Sequence, residues 1–168
     1  METLHMSQKI TACLWFDGNA EDAAAFYTSI FKNSDVGSKS KYDDASSEVT
    51  GQPKGSTMVV EFEIAGQKFV GLNGGPKFKF NEAVSFMIAC KDQAEIDYFW
   101  DRLTADGGEE SRCCWLKDKF GLSWQVIPER LNELIGGSDP DGSKRAVAAL
   151  LKMDKPDIQK LQDAYDGK

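Results

Sequence analysis

From Ile10 onward the apolar positions change rhythm at intervals, and each change predicts a new element. Ile10 to Phe16 is an apolar run of strand length that includes Trp15 and Phe16. Asp17-Gly18-Asn19 supplies a turn and a helix N-cap, with Glu21 and Asp22 in the first turn, where the helix dipole favours carboxylates. Ala20, Ala23, Ala24, Tyr27, Ile30 and Phe31 then recur at helical spacing, and Asn33-Ser34-Asp35 with Gly37 ends that helix. Lys39 to Ser56 is polar with little periodicity; it predicts a weak strand around Ser38–Tyr42 and a mobile loop through Pro53. Met58 to Ile64 alternates, with Val60, Phe62 and Ile64 on one face and Glu61 and Glu63 on the other. A turn at Ala65-Gly66-Gln67 leads into Lys68 to Asn73, which completes a hairpin that Gly74-Gly75-Pro76 stops.

The plan then repeats. Ala83 to Cys90 has strand character, and Asp92 caps a helix with Glu95 in the capping-box position. Ile96, Phe99, Trp100 and Leu103 mark its buried face and Gly107-Gly108 its end. Arg112 to Lys117 and Leu122 to Ile127 form a second hairpin around Asp118–Gly121. Strand, helix and strand hairpin therefore occur twice, an internal duplication. Beyond Pro128 three helical segments follow: Glu129 to Ile135, a second around Val147, Leu150 and Leu151, and a third around Ile158, Leu161 and Tyr165. They are expected to cover a sheet edge or a partner subunit.

Composition narrows the class. The 168 residues are 41% hydrophobic and 28% charged, as in an ordinary soluble domain. A net charge of -7 argues against nucleic acid or an anionic membrane as partner. No apolar run approaches the ~20 residues of a membrane helix. Met1 to Lys9 lacks the apolar core of a signal peptide, which predicts a cytoplasmic protein. In that compartment Cys13, Cys90, Cys113 and Cys114 are free thiols. Cys113 and Cys114 are adjacent in a predicted strand and so point to opposite faces, a poor metal clamp.

The segment Cys13-Leu14-Trp15-Phe16-Asp17-Gly18-Asn19-Ala20-Glu21-Asp22-Ala23, with Phe26-Tyr27 and Ile30-Phe31, resembles the opening motif of PhnB-like proteins. These belong to the glyoxalase/bleomycin-resistance (vicinal oxygen chelate) superfamily. Asp118-Lys119-Phe120-Gly121-Leu122-Ser123-Trp124-Gln125-Val126 resembles the closing motif of the same family, and Val147 to Tyr165 its C-terminal helices. The resemblance implies an α+β fold of paired βαβββ modules, each curved mixed sheet forming a half-cup, with the pocket between them. It assigns residues 9–76 to the first module, 77–128 to the second and 129–168 to a helical extension. It also implies a homodimer.

Many superfamily enzymes hold a divalent metal with His, Glu or Gln from four strand positions. Here those positions fall on or near Ala12, on Asn73, on Ser85 or Phe86, and on Gln125. None is His, Asp or Glu, whereas hard cations want carboxylate or carbonyl oxygens and zinc wants imidazole or thiolate. His5 is the sole histidine and lies near the N-terminus. No metal and no cofactor are therefore expected. The family is often labelled 3-demethylubiquinone-9 3-methyltransferase, an activity that needs S-adenosylmethionine. Gly74-Gly75 follows a strand, but Pro76 and a Lys/Phe-rich connector come next, so it reads as a loop between modules.

Strand parity, with Cys13, Trp15, Val60, Phe62, Leu72, Trp124 and Val126 facing the helices, turns Leu14, Phe16, Glu61, Asn73 and Gln125 toward the cup. Together with Phe86 these are the candidate ligand-binding residues; Gln125 and Asn73 supply neutral amides to an apolar pocket. Both amides could equally satisfy buried backbone groups. Glu61 and Glu63 suit a general base if buried, or are simply solvated. The expected function is metal-free binding of a small molecule. The alternatives are a metal-dependent isomerase, lyase or dioxygenase of the superfamily, the labelled methyltransferase, or a protein that acts mainly by assembly through its C-terminal helices.

Overall fold

In the computed structural model, which describes residues 8–168, the chain builds the same sheet twice. The sole histidine, His5, lies outside the described residues. The first unit, ending at Lys79, contains β1 (Ala12–Phe16), α1 (Ala20–Ile30), β2 (Asp35–Lys41), α2 (Asp44–Thr50), β3 (Thr57–Ile64) and β4 (Gln67–Asn73). Its sheet order is β1-β4-β3-β2, with β1 parallel to β4 and the other pairs antiparallel. The second unit, Phe80–Lys168, contains β5 (Ser85–Cys90), α3 (Gln93–Thr104), β6 (Glu109–Glu110), β7 (Trp115–Lys117) and β8 (Ser123–Pro128). Its order, β5-β8-β7-β6, repeats the first, again with a parallel first pair. The two βαβββ modules read from the duplication are thus present.

In the first unit α1 buries Ala20, Ala23, Ala24, Tyr27 and Ile30 against the sheet. Tyr27 stacks on Phe62 at 6.1 Å and Phe62 on Phe69 at 5.5 Å, each pair adding about 0.5–1.5 kcal/mol beyond its burial. Close approach of α1 depends on Gly71. A Cβ there would lie 3.1 Å from the Ala20 Cβ and 3.0 Å from a Val60 methyl.

This packing reverses the expected parity of β1 and β4. Leu14, Phe16, Gly71 and Asn73 are buried on the helix side, and Cys13, Trp15, Val70 and Leu72 occupy the opposite face. In β3 the parity is as read, with Val60 and Phe62 buried and Glu61 turned away. The polar stretch after Tyr42 is a short helix, α2, where a loop was expected. Asp43 and Ser46 form a reciprocal capping box at its start, and Gly51 closes it in the left-handed conformation. Every α2 side chain is at least partly exposed, so no apolar rhythm announces it.

In the second unit Ile96, Trp100 and Leu103 of α3 are buried beneath β5 and β8. The predicted strand from Arg112 begins only at Trp115. Cys113 and Cys114 precede it with φ of 57° and 73°, a conformation no strand contains. Their N–H groups donate to Met153 and Asp154 at 2.9 and 3.0 Å, which fastens the tail to this loop.

The tail, α4 (Leu131–Ile135), α5 (Pro140–Leu150) and α6 (Ile158–Asp166), packs around Leu131, Leu134, Ala146 and Leu161. Gln93 anchors its far end, donating to the Pro156 carbonyl and accepting from the Ile158 N–H. Among the described residues no helix is long and apolar enough to cross a membrane.

Candidate functional site

The turn between β7 and β8 is built around one buried carboxylate, 2% exposed, that of Asp118. One oxygen accepts the N–H groups of Phe120 and Leu122 at 2.9 and 3.1 Å; the other accepts the Trp124 indole N–H at 2.9 Å. Gly121, at φ 86°, supplies the left-handed residue the turn requires. The arrangement fixes the start of β8 and the Trp124 ring, and so sets which β8 residues face away from α3. Sequence reasoning missed this role. An Asp at the head of a Gly-containing turn signals an Asx-turn but not burial.

With Trp124 and Val126 held inward, Ser123 and Gln125 take the opposite face. Met87, Gln125 and Trp115 lie directly across from one another on β5, β8 and β7. The next row is Ser85, Ser123, Lys117 and Glu109 on β5, β8, β7 and β6. Gln125 donates from Nε2 to the Ser85 hydroxyl at 2.9 Å, linking the two rows. Met87 is 68% exposed, so the first row is an apolar surface with one amide at its centre.

The other predicted ligand residues do not gather there. Leu14 and Phe16 are core residues under α1. Phe86 packs beside Trp124, centroids 5.6 Å apart, on the α3 side of its sheet. Asn73 is buried, and its amide is taken by the backbone: Oδ1 accepts the Ala20 N–H at 2.9 Å, and Nδ2 donates to the Thr57 carbonyl at 3.0 Å. It caps α1 in place of Asn19, whose side chain makes no cap bond. Glu61 is on the open face of the first sheet as read, exposed and accepting the Ser38 hydroxyl at 2.6 Å.

A divalent metal does not fit the residues present. Correcting the faces replaces Ala12 by Cys13 or Trp15, Asn73 by Val70 or Leu72, and Phe86 by Ser85 or Met87, with Gln125 unchanged. One thiol, one hydroxyl and one amide spread over these strands offer no carboxylate or imidazole. Burial also raises the Cys13 thiol, so thiolate is disfavoured there. Among the described residues no three His, Cys, Asp or Glu are grouped to hold a metal. S-adenosylmethionine fares no better at Gly74-Gly75. A Cβ on Gly74 would fall 2.2 Å from the Trp15 ring, and the Trp15 indole donates to the Gly75 carbonyl at 2.8 Å. Gly74 makes room for a tryptophan and Gly75, at φ 93°, for a left-handed turn against Gln52, and no helix starts between β4 and β5.

Residues 8–127 match the family described as 3-demethylubiquinone-9 3-methyltransferase, a match that stops ahead of the tail helices. A solved PhnB protein from Bacillus cereus, bearing the same methyltransferase name, is 33% identical at a TM-score of 0.62 over 72% of this chain and 99% of its own. Two more distant structures share the fold. A Pseudomonas aeruginosa protein is 17% identical with a TM-score of 0.56, over 73% of this chain and 98% of its own. The genomically encoded fosfomycin resistance protein FosX of Listeria monocytogenes is 18% identical with a TM-score of 0.53, over 76% and 96%. No curated protein matches the chain.

Proposed function

The chain belongs to the 3-demethylubiquinone-9 3-methyltransferase family of PhnB-like, vicinal oxygen chelate proteins, and we propose that it binds a small aromatic or amphipathic molecule without a metal. The observation that carries this reading is the row Met87–Gln125–Trp115 on the open face of the second sheet. An apolar surface with a single oriented amide suits recognition of a neutral or weakly polar group, because the amide fixes orientation while the flanking side chains bury area. Gln125 is the ligand contact; Ser85 holds its amide nitrogen and leaves its carbonyl oxygen as the free acceptor. The donor chemistry of the strand positions supports binding rather than metal-assisted catalysis.

The test is a fragment screen by heteronuclear NMR on the full chain, with metal analysis of protein purified without chelator. Aromatic fragments are expected to shift Gln125, Met87 and Trp115 resonances, and Gln125→Ala to weaken them by about tenfold, near 1.4 kcal/mol. Stoichiometric nickel, zinc, iron or manganese lost in Gln125→Ala would overturn the reading. The family description favours one competing reading, a methyltransferase; saturable S-adenosylmethionine binding by calorimetry would establish it. The proposal takes the protein as a cytoplasmic homodimer, as the family resemblance implies, and sedimentation equilibrium checks the assembly.

A further inference from the structure

Among the described residues the Ser123 hydroxyl has no hydrogen-bond partner, although its residue is fully buried, at 0% exposure. A buried hydroxyl left unpaired costs about 1–3 kcal/mol, so such a group in a native fold calls for an explanation. Ser123 lines a cavity of about 120 Å³ at the end of the polar row, walled by Glu82, Glu109, Glu110, Trp115 and Lys117. The volume suits the head group of a small molecule and not its body. All of these residues lie in the second unit, and the cavity adjoins the apolar row through Trp115, which belongs to both.

The charges choose the head group. Lys117 is in contact with Glu82 and lies directly across from Glu109. The bond to Glu82 comes first among the causes that raise the Lys117 ammonium, and its counterpart lowers the Glu82 carboxyl. Lys117 is therefore already neutralised. Glu110 accepts the Trp100 indole N–H through Oε1 at 2.6 Å, while Glu109 stands in the row of Lys117 and Ser123. With Glu110 engaged by Trp100 of α3, Glu82 and Glu109 against Lys117 still leave one carboxylate in excess, which repels an anion.

Resting on the binding reading above, we propose that the ligand carries a primary ammonium group, which enters this cavity and donates to the Ser123 hydroxyl and the Glu109 carboxylate while its apolar body lies along Met87, Gln125 and Trp115. An ammonium has three N–H donors, enough for both acceptors and a water. Alkylamines, with pKa values of about 10, are protonated at neutral pH.

Calorimetric or NMR titration of the full chain with hexylamine, hexanol and hexanoate at neutral pH tests this. Hexylamine is expected to bind about tenfold tighter than hexanol, and hexanoate weakest. Glu109→Gln, an exposed and nearly isosteric change, should bring the amine to within about threefold of the alcohol. Ser123→Ala should weaken the amine several-fold while thermal unfolding shows the variant folded. Hexanoate binding as tightly as hexylamine, or an amine preference that survives both substitutions, would overturn the inference. Hexanol binding with no amine preference defeats the inference alone and leaves the binding reading standing. Failure of all three probes defeats both.

Discussion

The side-chain oxygen of Asn73 accepts the backbone N–H of Ala20 at 2.9 Å, joining the last residue of β4 to the first residue of α1. The same amide donates to Thr57 at the start of β3, and the Asn73 carbonyl receives the buried Tyr42 hydroxyl at 2.7 Å. One residue thus ties a helix, two strands and the connection after β2. Asn73→Ala should cost about 1–3 kcal/mol in urea denaturation, from an uncapped helix and an unpaired Thr57 carbonyl. Fragment binding at Gln125 should be unchanged, and a specific loss of binding without loss of stability would return Asn73 to the ligand site.

Asp118 carries a larger share of the second unit. Asp118→Asn places an N–H donor against at least one of three N–H groups that now point at acceptors, a loss of about 1–3 kcal/mol. Asp118→Ala leaves all three unpaired and should cost more. Trp124 fluorescence reports the event locally, because its indole N–H is one of the three; a red shift is expected in both variants before global unfolding.

Burial pushes the Cys90 and Cys114 thiols up to about 12. Their folded values lie above the ordinary cysteine value of about 8.5, so the stability gained by keeping them protonated is complete below that pH and is lost as pH rises toward 12. Each thiol should contribute a fall of about 1.4 kcal/mol per pH unit across this window. Urea midpoints of wild type and Cys90→Ala, measured from pH 8 upward, should show a shallower decline in the variant. At pH 8 a thiol reagent should modify exposed Cys13 and leave Cys90 and Cys114 untouched until the protein is unfolded.

Gly74→Ala forces a methyl into the Trp15 ring, 2.2 Å from its nearest carbon, and should cost about 1–3 kcal/mol through overpacking. Trp15 also packs edge-on to Phe78 at 4.9 Å, so displacing the indole disturbs the connector beyond β4. Circular dichroism melting checks the loss. A variant as stable as wild type would mean Gly74 serves something other than the tryptophan.

The duplication was legible because both units carry contrast at the same places. Val60 and Phe62 alternate with glutamates, and Ile96, Trp100 and Leu103 stand out on a polar helix. Where contrast vanishes the reading failed. Cys13, Leu14, Trp15 and Phe16 are apolar on both faces of β1, so nothing in the strand itself says which pair meets α1. That one-residue ambiguity put Leu14, Phe16 and Asn73 on the wrong face, while Gln125 lies on the face read for it because Trp124 and Val126 flank it. The capping box of α2 was present in the letters Asp43 and Ser46 but sat in a polar stretch without rhythm. The Ser123 cavity needed the register of β6, β7 and β8, which brings Glu109, Lys117 and Ser123 into line from three separate strands.

The turn at Asp118 has a consequence for tolerance to substitution. Its carboxylate, its glycine and Trp124 form one self-supporting knot of hydrogen bonds that asks nothing of the residues on the other face. Ser123 and Gln125, on the opposite face of the same segment, take no part in those bonds. The bonds that hold the hairpin and the side chains it displays therefore lie on opposite sides of a single strand, so either set can be altered without the other.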